Sequence, residues 1–246
     1  MPGTVETKQV SAGQSERPIP TGRTLLEKIV SKVFEVYCKG FLFSIYCPVK
    51  VVGRDNLPES PFILCSNHCS HMDSAVLMVA SGMPFRRFGM MAAADYFFNH
   101  KARKLFLSAM MNLIPIDRTP SFRSVGDVVE SCRTFLQDRS RNIIIFPEGT
   151  RSLTGEIQGF KKGPSIISHE LKVPLVPAYI HGTFRAMPKG RNFMKPHRVI
   201  VTIGKPIYPE EFPVEDGSRL NKTYRLITNL LENAIRDMVK ENGLAK

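Results

Sequence analysis

The chain has 246 residues, 43% of them hydrophobic and 23% charged, with 34 basic and 22 acidic residues giving a formal net charge of +12. That length suits one large domain with a small appendage, and the balance of apolar and charged residues excludes a chain disordered along most of its length. The excess of positive charge predicts an anionic partner, whether nucleic acid, an anionic membrane or a phosphorylated ligand.

Residues 1–22 are polar, with Pro18, Pro20 and scattered Gly and Ser, and they lack the basic-then-apolar order of a signal peptide. They read as a disordered lead-in. Residues 23–48 form a second unit. Leu25, Leu26, Ile29, Val30, Val33, Phe34 and Tyr37 recur at helical spacing, and a shorter apolar run covers Phe41 to Val49. Neither run reaches the roughly 20 uncharged apolar residues needed to span a bilayer. Two short helices, basic on one side and apolar on the other, fit an anchor lying in the membrane interface. They also fit a helix pair packed on the main domain.

Residues 49–246 alternate strand and helix signals. "PFILCSN" reads as a buried strand, followed by a helix beginning near Ser74 with Ser70 as its N-cap. "FRRFGMMAA" contains a second strand, "NHKARKLFLSAMM" a basic helix and "NLIPIDR" an extended segment. Val125, Val128, Val129, Cys132, Phe135 and Leu136 mark an amphipathic helix. "NIIIFPEGTR", "VPLVPAYI" and "RVIVTIG" supply further strands, and a last helix carries Leu220, Tyr224, Ile227, Leu231, Ile235 and Met238 on one face. Ser218 is its expected cap and Gly243 its stop. The pattern predicts an α/β fold with a largely parallel or mixed central sheet flanked by helices, plus the N-terminal helical segment.

Charge is unevenly placed along this unit. No acid lies between residues 171 and 209, where Lys172, Arg185, Lys189, Arg191, Lys195, Arg198 and Lys205 fall. Such a surface faces an anion more readily than a mixed-charge one. The five cysteines are odd in number and their spacing suggests no disulfide framework, so free thiols in a reducing compartment are expected.

The stretch "SNHCSHMDSAV", residues 66–76, holds the densest polar chemistry. Cys65, His68, Cys69 and His71 are too close in sequence to surround a tetrahedral ion, and no second Cys/His pair completes such a site, so no metal is expected. His68 and Asp73 would sit about 140° apart on a continuous helix. With His68 in a turn and Asp73 in the first helical turn, the carboxylate can instead accept the imidazole N–H and leave the other nitrogen as a base. A plain polar turn explains the same spacing. No G-x-S-x-G elbow is present, so a substrate hydroxyl is the natural attacker.

Two arginine-bearing segments follow apolar strands. "FPEGTRS", residues 146–152, offers Gly149 for a tight turn, Thr150 for a hydroxyl, Arg151 for a bidentate fork and Glu148 to orient it. "IDR" brings Arg118 beside an acid. Neither segment is a Walker A loop, and nucleotide binding has no support.

Taken together, these segments resemble the glycerolipid acyltransferase family, whose best-known members act on 1-acylglycerol-3-phosphate. Asn67, His68 and Asp73 match its N-H-x-x-x-x-D block, "NLIPIDR" its second block, "FPEGTRS" its third in full and "VPLVP" at 173–177 its fourth, in order and across roughly residues 45–210. Asn112 and Pro115 depart from the second block. The resemblance implies that His68 is the base and Asp73 its support, and that Arg118, Glu148, Gly149, Thr150 and Arg151 hold the acceptor's phosphate. It implies a lysophospholipid acceptor and acyl-CoA or acyl-ACP (acyl carrier protein) as co-substrate, with no bound cofactor and no metal. It also implies a peripheral or monotopic place on the cytoplasmic face of a membrane. The alternatives are the same chemistry on another lysolipid or alcohol, or a non-catalytic protein binding anionic lipid. The basic segments carry no nucleic-acid recognition signature, and no nucleic-acid partner is expected.

Overall fold

The computed structural model describes residues 24–93, 112–116, 122–191, 193–213 and 220–241. Among these residues seven strands, β1 (Val49–Val52), β2 (Ile63–Ser66), β3 (Phe88–Ala93), β4 (Asn112–Ile116), β5 (Asn142–Ile145), β6 (Leu175–His181) and β7 (Val199–Ile203), form one sheet. Their order is β1-β7-β6-β2-β5-β3-β4. Every neighbouring pair is parallel except β6 and β7. The sheet is therefore mixed, as the alternating pattern predicted.

The central strands are apolar because both their faces are covered. All four residues of β2 and of β5 are buried. Leu64 and Ile144 face one core with Phe62, Val76, Leu77, Met78 and Phe88. Ile63, Cys65, Ile143 and Ile145 face the other, with Cys132, Phe135, Ile227, Leu231 and Ile235. The two-residue period of the strands splits one apolar run between two cores.

Among the described residues six α-helices surround the sheet: α1 (Leu25–Tyr37), α2 (Asp73–Ser81), α3 (Phe122–Phe135), α4 (Gly163–Leu171), the single turn α5 (Thr183–Ala186) and α6 (Leu220–Glu241). The face expected of α6 is the one it buries, through Tyr224, Ile227, Leu231, Ile235 and Met238. In α3, Val129, Cys132 and Phe135 are buried while Val125 stays exposed. The basic segment 99–111, the cap Ser218 and the stop Gly243 lie outside the described residues, as does the lead-in 1–22.

The N-terminal unit differs from the expected pair of helices. A capping box opens α1: the Glu27 N–H donates to Thr24 Oγ1 at 3.2 Å and the Thr24 N–H to Glu27 Oε2 at 2.8 Å. The chain then continues unbroken into a π-helical run, Cys38–Tyr46. The Cys47 N–H reaches back five residues to the Leu42 carbonyl, the backbone pattern of a π-helix, and the Ser44 side chain adds a bond from Oγ to the Lys39 carbonyl. Burial in α1 is inside-out. Ser31 and Glu35 are buried, and Glu35 meets Lys39 Nζ at 2.7 Å. Leu25, Leu26, Ile29, Val33 and Val36 are all more than half exposed. No helix among the described residues is long and apolar enough to cross a membrane. Strand β1 was hidden in the sequence, since it is a four-residue edge strand directly after the helical run with Lys50 exposed.

Candidate active site

The parallel pairing of β2 with β5 aligns Cys65 with Ile145. The loops leaving the two strands, residues 67–72 and 146–152, therefore emerge side by side at the carboxyl edge of the sheet, where open α/β sheets bind ligands.

The first loop is fastened by Asn67. Its buried amide pairs twice with β6: Oδ1 accepts from the Ile180 N–H at 2.8 Å and Nδ2 donates to the Ile180 carbonyl at 3.0 Å. The side chain thus substitutes for the backbone pairing that β2 gives up as it leaves the sheet. His68 is clamped from the other side by the second loop. Its N–H donates to Glu148 Oε1 at 2.8 Å, and its carbonyl accepts from the Ser152 N–H at 2.7 Å. Its ring stacks on Phe146 with centroids 3.9 Å apart and planes 10° from parallel.

Asp73 is the first residue of α2 and is fully buried. Its Oδ2 accepts from the Cys69 N–H at 2.7 Å and the Ser70 N–H at 2.8 Å, and lies 2.9 Å from His68 Nδ1. Because Oδ2 accepts from both backbone N–H groups, the network assigns the hydrogen between it and His68 to Nδ1 and leaves Nε2 as an acceptor. The turn between His68 and α2 closes the angle that a continuous helix would have left open.

Ser70 does not cap α2 by its hydroxyl in the expected way. The cap position is Met72, and Ser70 Oγ accepts from the Met72 N–H at 3.3 Å while donating to the Met187 carbonyl at 2.7 Å. The Asp73 carboxylate takes the turn's amides instead. Cys69 is buried, and its thiol is pushed up to about 12, first by burial and then by the carboxylates of Asp73 and Glu148. It stays protonated and is no nucleophile. His71 is exposed on the turn.

In the second loop Gly149 has φ 73°, and a Cβ there would lie 2.7 Å from Lys161 Nζ. The positive φ favours glycine here, while the lysine tip is the end of a flexible side chain and can move. Thr150 is exposed, whereas Arg151 Nη1 is buried with no hydrogen-bond partner among the described residues. A buried guanidinium nitrogen left unpaired is a place for an oxygen acceptor. Glu148 does not orient this arginine, as the sequence suggested. Its carboxylate turns to the His68 N–H and, at 3.3 Å, to the Gln158 N–H. Burial pushes its carboxyl up to about 7, the nearby Asp73 charge adds to the rise, and the two amides and Arg236 oppose it. Arg118 lies outside the described residues; the strand before it, β4, ends at Ile116. Lys161 was missed from the sequence, where it is one half of a lysine pair and nothing in the spacing says which loop it returns to. No group of three His, Cys, Asp or Glu side chains among the described residues is arranged to hold a metal ion.

An imidazole oriented by a buried carboxylate, beside a loop with an unpaired guanidinium, suits proton abstraction from an alcohol that carries an anionic group. The acyltransferase family model matches residues 48–181, and the chain belongs to that family. It is similar to the 1-acyl-sn-glycerol-3-phosphate acyltransferases of Chlamydomonas reinhardtii (29% identical, covering 66% of this chain and 48% of the relative) and Brassica napus, a chloroplastic protein (32%, covering 64% and 44%). The chain thus spans about half the length of these relatives. Its fold is similar to the crystal structure of the 1-acyl-sn-glycerophosphate acyltransferase PlsC of Thermotoga maritima, at 25% identity and a TM-score of 0.64 over 89% of this chain and 82% of that one.

Proposed function

We propose that this acyltransferase moves an acyl chain from a thioester of coenzyme A or acyl carrier protein to the free hydroxyl of 1-acylglycerol-3-phosphate, giving phosphatidic acid. The observation that carries this reading is the His68–Asp73 contact at 2.9 Å on a loop bonded on both sides to the loop bearing Arg151. His68 Nε2 takes the hydroxyl proton as the oxygen attacks the thioester carbonyl. Asp73 stabilises the imidazolium that forms. The carbon–sulfur bond then breaks, and the proton passes from His68 to the departing thiolate. Every step runs on protons and electron pairs already in the substrates and the imidazole, so no bound cofactor is needed.

Arg151 holds the acceptor's phosphate through Nη1, with Gly149 and Thr150 shaping the loop and Lys161 adding a second positive charge. Arg118 supplies a further guanidinium. Glu148 serves the same site from behind by fixing the base's backbone. The outward apolar face of α1 supports a monotopic place in the membrane interface, where a lysolipid is found. The free cysteines, Cys38, Cys47, Cys65, Cys69 and Cys132, support a reducing compartment and so the cytoplasmic face.

Arg151→Ala tests the acceptor. With acyl-CoA held saturating, the variant is expected to raise KM for lysophosphatidate at least tenfold and to leave thioester hydrolysis in the absence of acceptor unchanged. Equal losses on phosphorylated and unphosphorylated acceptors would contradict the phosphate role and favour another alcohol.

A further inference from the structure

The acid-free stretch 171–209 contains one segment that neither the base nor the phosphate loop uses. Between α5 and β7 the described residues 187–191 and 193–198 form a loop whose Lys189, Arg191, Lys195 and Arg198 are exposed and whose Phe193 is 85% exposed. A phenyl ring so open to water, between cations with no acid in the segment, is not part of either core.

The loop's position decides what covers it. Tyr46 Oη donates to the Met194 carbonyl at 2.9 Å, and Cys47 Sγ to the Lys195 carbonyl at 3.5 Å. Tyr46 ends the helical run whose apolar side faces outward, and the rings of Tyr37, Phe41 and Tyr46 follow one another along it at 5.8 and 6.4 Å. Phe41 and Ile45 are exposed beside them. At its other end the loop is bonded to the base's turn through Ser70 Oγ and the Met187 carbonyl at 2.7 Å. It therefore joins the outward apolar helix face to the turn that carries His68.

We propose that loop 187–198 is a second membrane-contacting element, in which Phe193 enters the interface and Lys189, Arg191 and Lys195 bind the phosphates of anionic lipids. This rests on the interfacial reading of α1 and extends it from one element to two. A ring at headgroup level flanked by cations is the arrangement that interfaces select. An acidic carrier protein would match the cations and leave the phenyl ring without a role, and Phe193 directly precedes Met194, whose carbonyl is held by Tyr46, the last ring of the helical run. Each cation near an anionic surface contributes about fivefold in partitioning, so the three together contribute on the order of a hundredfold.

The experiment is co-sedimentation of the full chain with phosphatidylcholine vesicles, with and without phosphatidylglycerol. K189A/R191A/K195A is expected to weaken binding to the anionic vesicles by on the order of a hundredfold and to neutral vesicles little. F193A is expected to weaken both. Turnover of a water-soluble short-chain lysophosphatidate with acyl-CoA should be unchanged in each variant, which also shows that the fold survives. The α1 variant I29D/V33D, run in parallel, reports separately on the first element. If it alone loses binding, the interfacial reading of α1 stands and the loop proposal is overturned. If the loop variants lose binding whatever it does, the loop proposal stands. Intact vesicle binding in the triple variant, with a raised KM for acyl carrier protein alone, would overturn it in favour of a carrier-docking surface.

Discussion

At the level of single residues, the site is built by side chains that hold backbone rather than substrate. Asn67 replaces a strand pairing, and Glu148 fixes the His68 N–H across 80 residues of sequence. The five-residue spacing allowed the His68–Asp73 contact but equally a plain polar turn, and the resemblance to the acyltransferase motif singled out the pair that the structure brings into contact. The service of Glu148 was not legible, because its partner is a backbone amide in a distant loop and a backbone amide has no letter in the sequence. Its burial gives a signed prediction. The folded carboxyl is raised to about 7, so it and its unfolded counterpart are both protonated at low pH and no penalty arises. As pH climbs through the unfolded and then the folded value, the native state must ionise a buried group and stability falls. Glu148→Gln removes that dependence. Urea unfolding should show the wild type losing stability relative to this variant between about pH 5 and about pH 8. A constant difference across that window would contradict the assignment.

At the level of elements, α1 and its π-helical continuation carry the least ordinary pattern. The helical spacing of apolar residues was read correctly, but spacing does not say which side faces the protein. The answer lies in Ser31 and Glu35, which pack inward with Lys39 reaching both Glu35 and, at 3.1 Å, the Met83 carbonyl. Exposed apolar residues contribute little to folding in water, where surface changes usually stay within about 0.5 kcal/mol. Ile29→Asp with Val33→Asp should therefore leave the unfolding midpoint in buffer nearly unchanged while it weakens vesicle binding. A large loss of stability would instead mean that this face is packed within the molecule. The π-helical stretch and β1 escaped the sequence reading for opposite reasons. One looks like an α-helix to any periodicity test, and the other is a short edge strand with too few residues to show alternation.

For the molecule as a whole, the architecture follows from strands that are apolar on both faces and helices that are apolar on one. That pattern was visible in "PFILCSN" and "NIIIFPEGTR". What was not visible is the order of the strands, which depends on pairings between segments 80 and more residues apart, such as Ile63 with Ile143 and with Leu175. This order places β2 between β5 and β6, and so brings the turn bearing His68 against the loop bearing Arg151 on one side and the Ile180 backbone on the other. The positive charge of the chain is likewise a property of the whole, and the fold gathers part of it onto the loop beside the outward helix face. In the proposed function these contacts serve to present His68 Nε2 to a hydroxyl. The most direct measurement is kcat for acyl transfer to lysophosphatidate by His68→Ala, with its unfolding midpoint checked alongside. The expected result is a loss of about 10²–10⁴ in kcat at an unchanged midpoint. Turnover close to that of the wild type would contradict it.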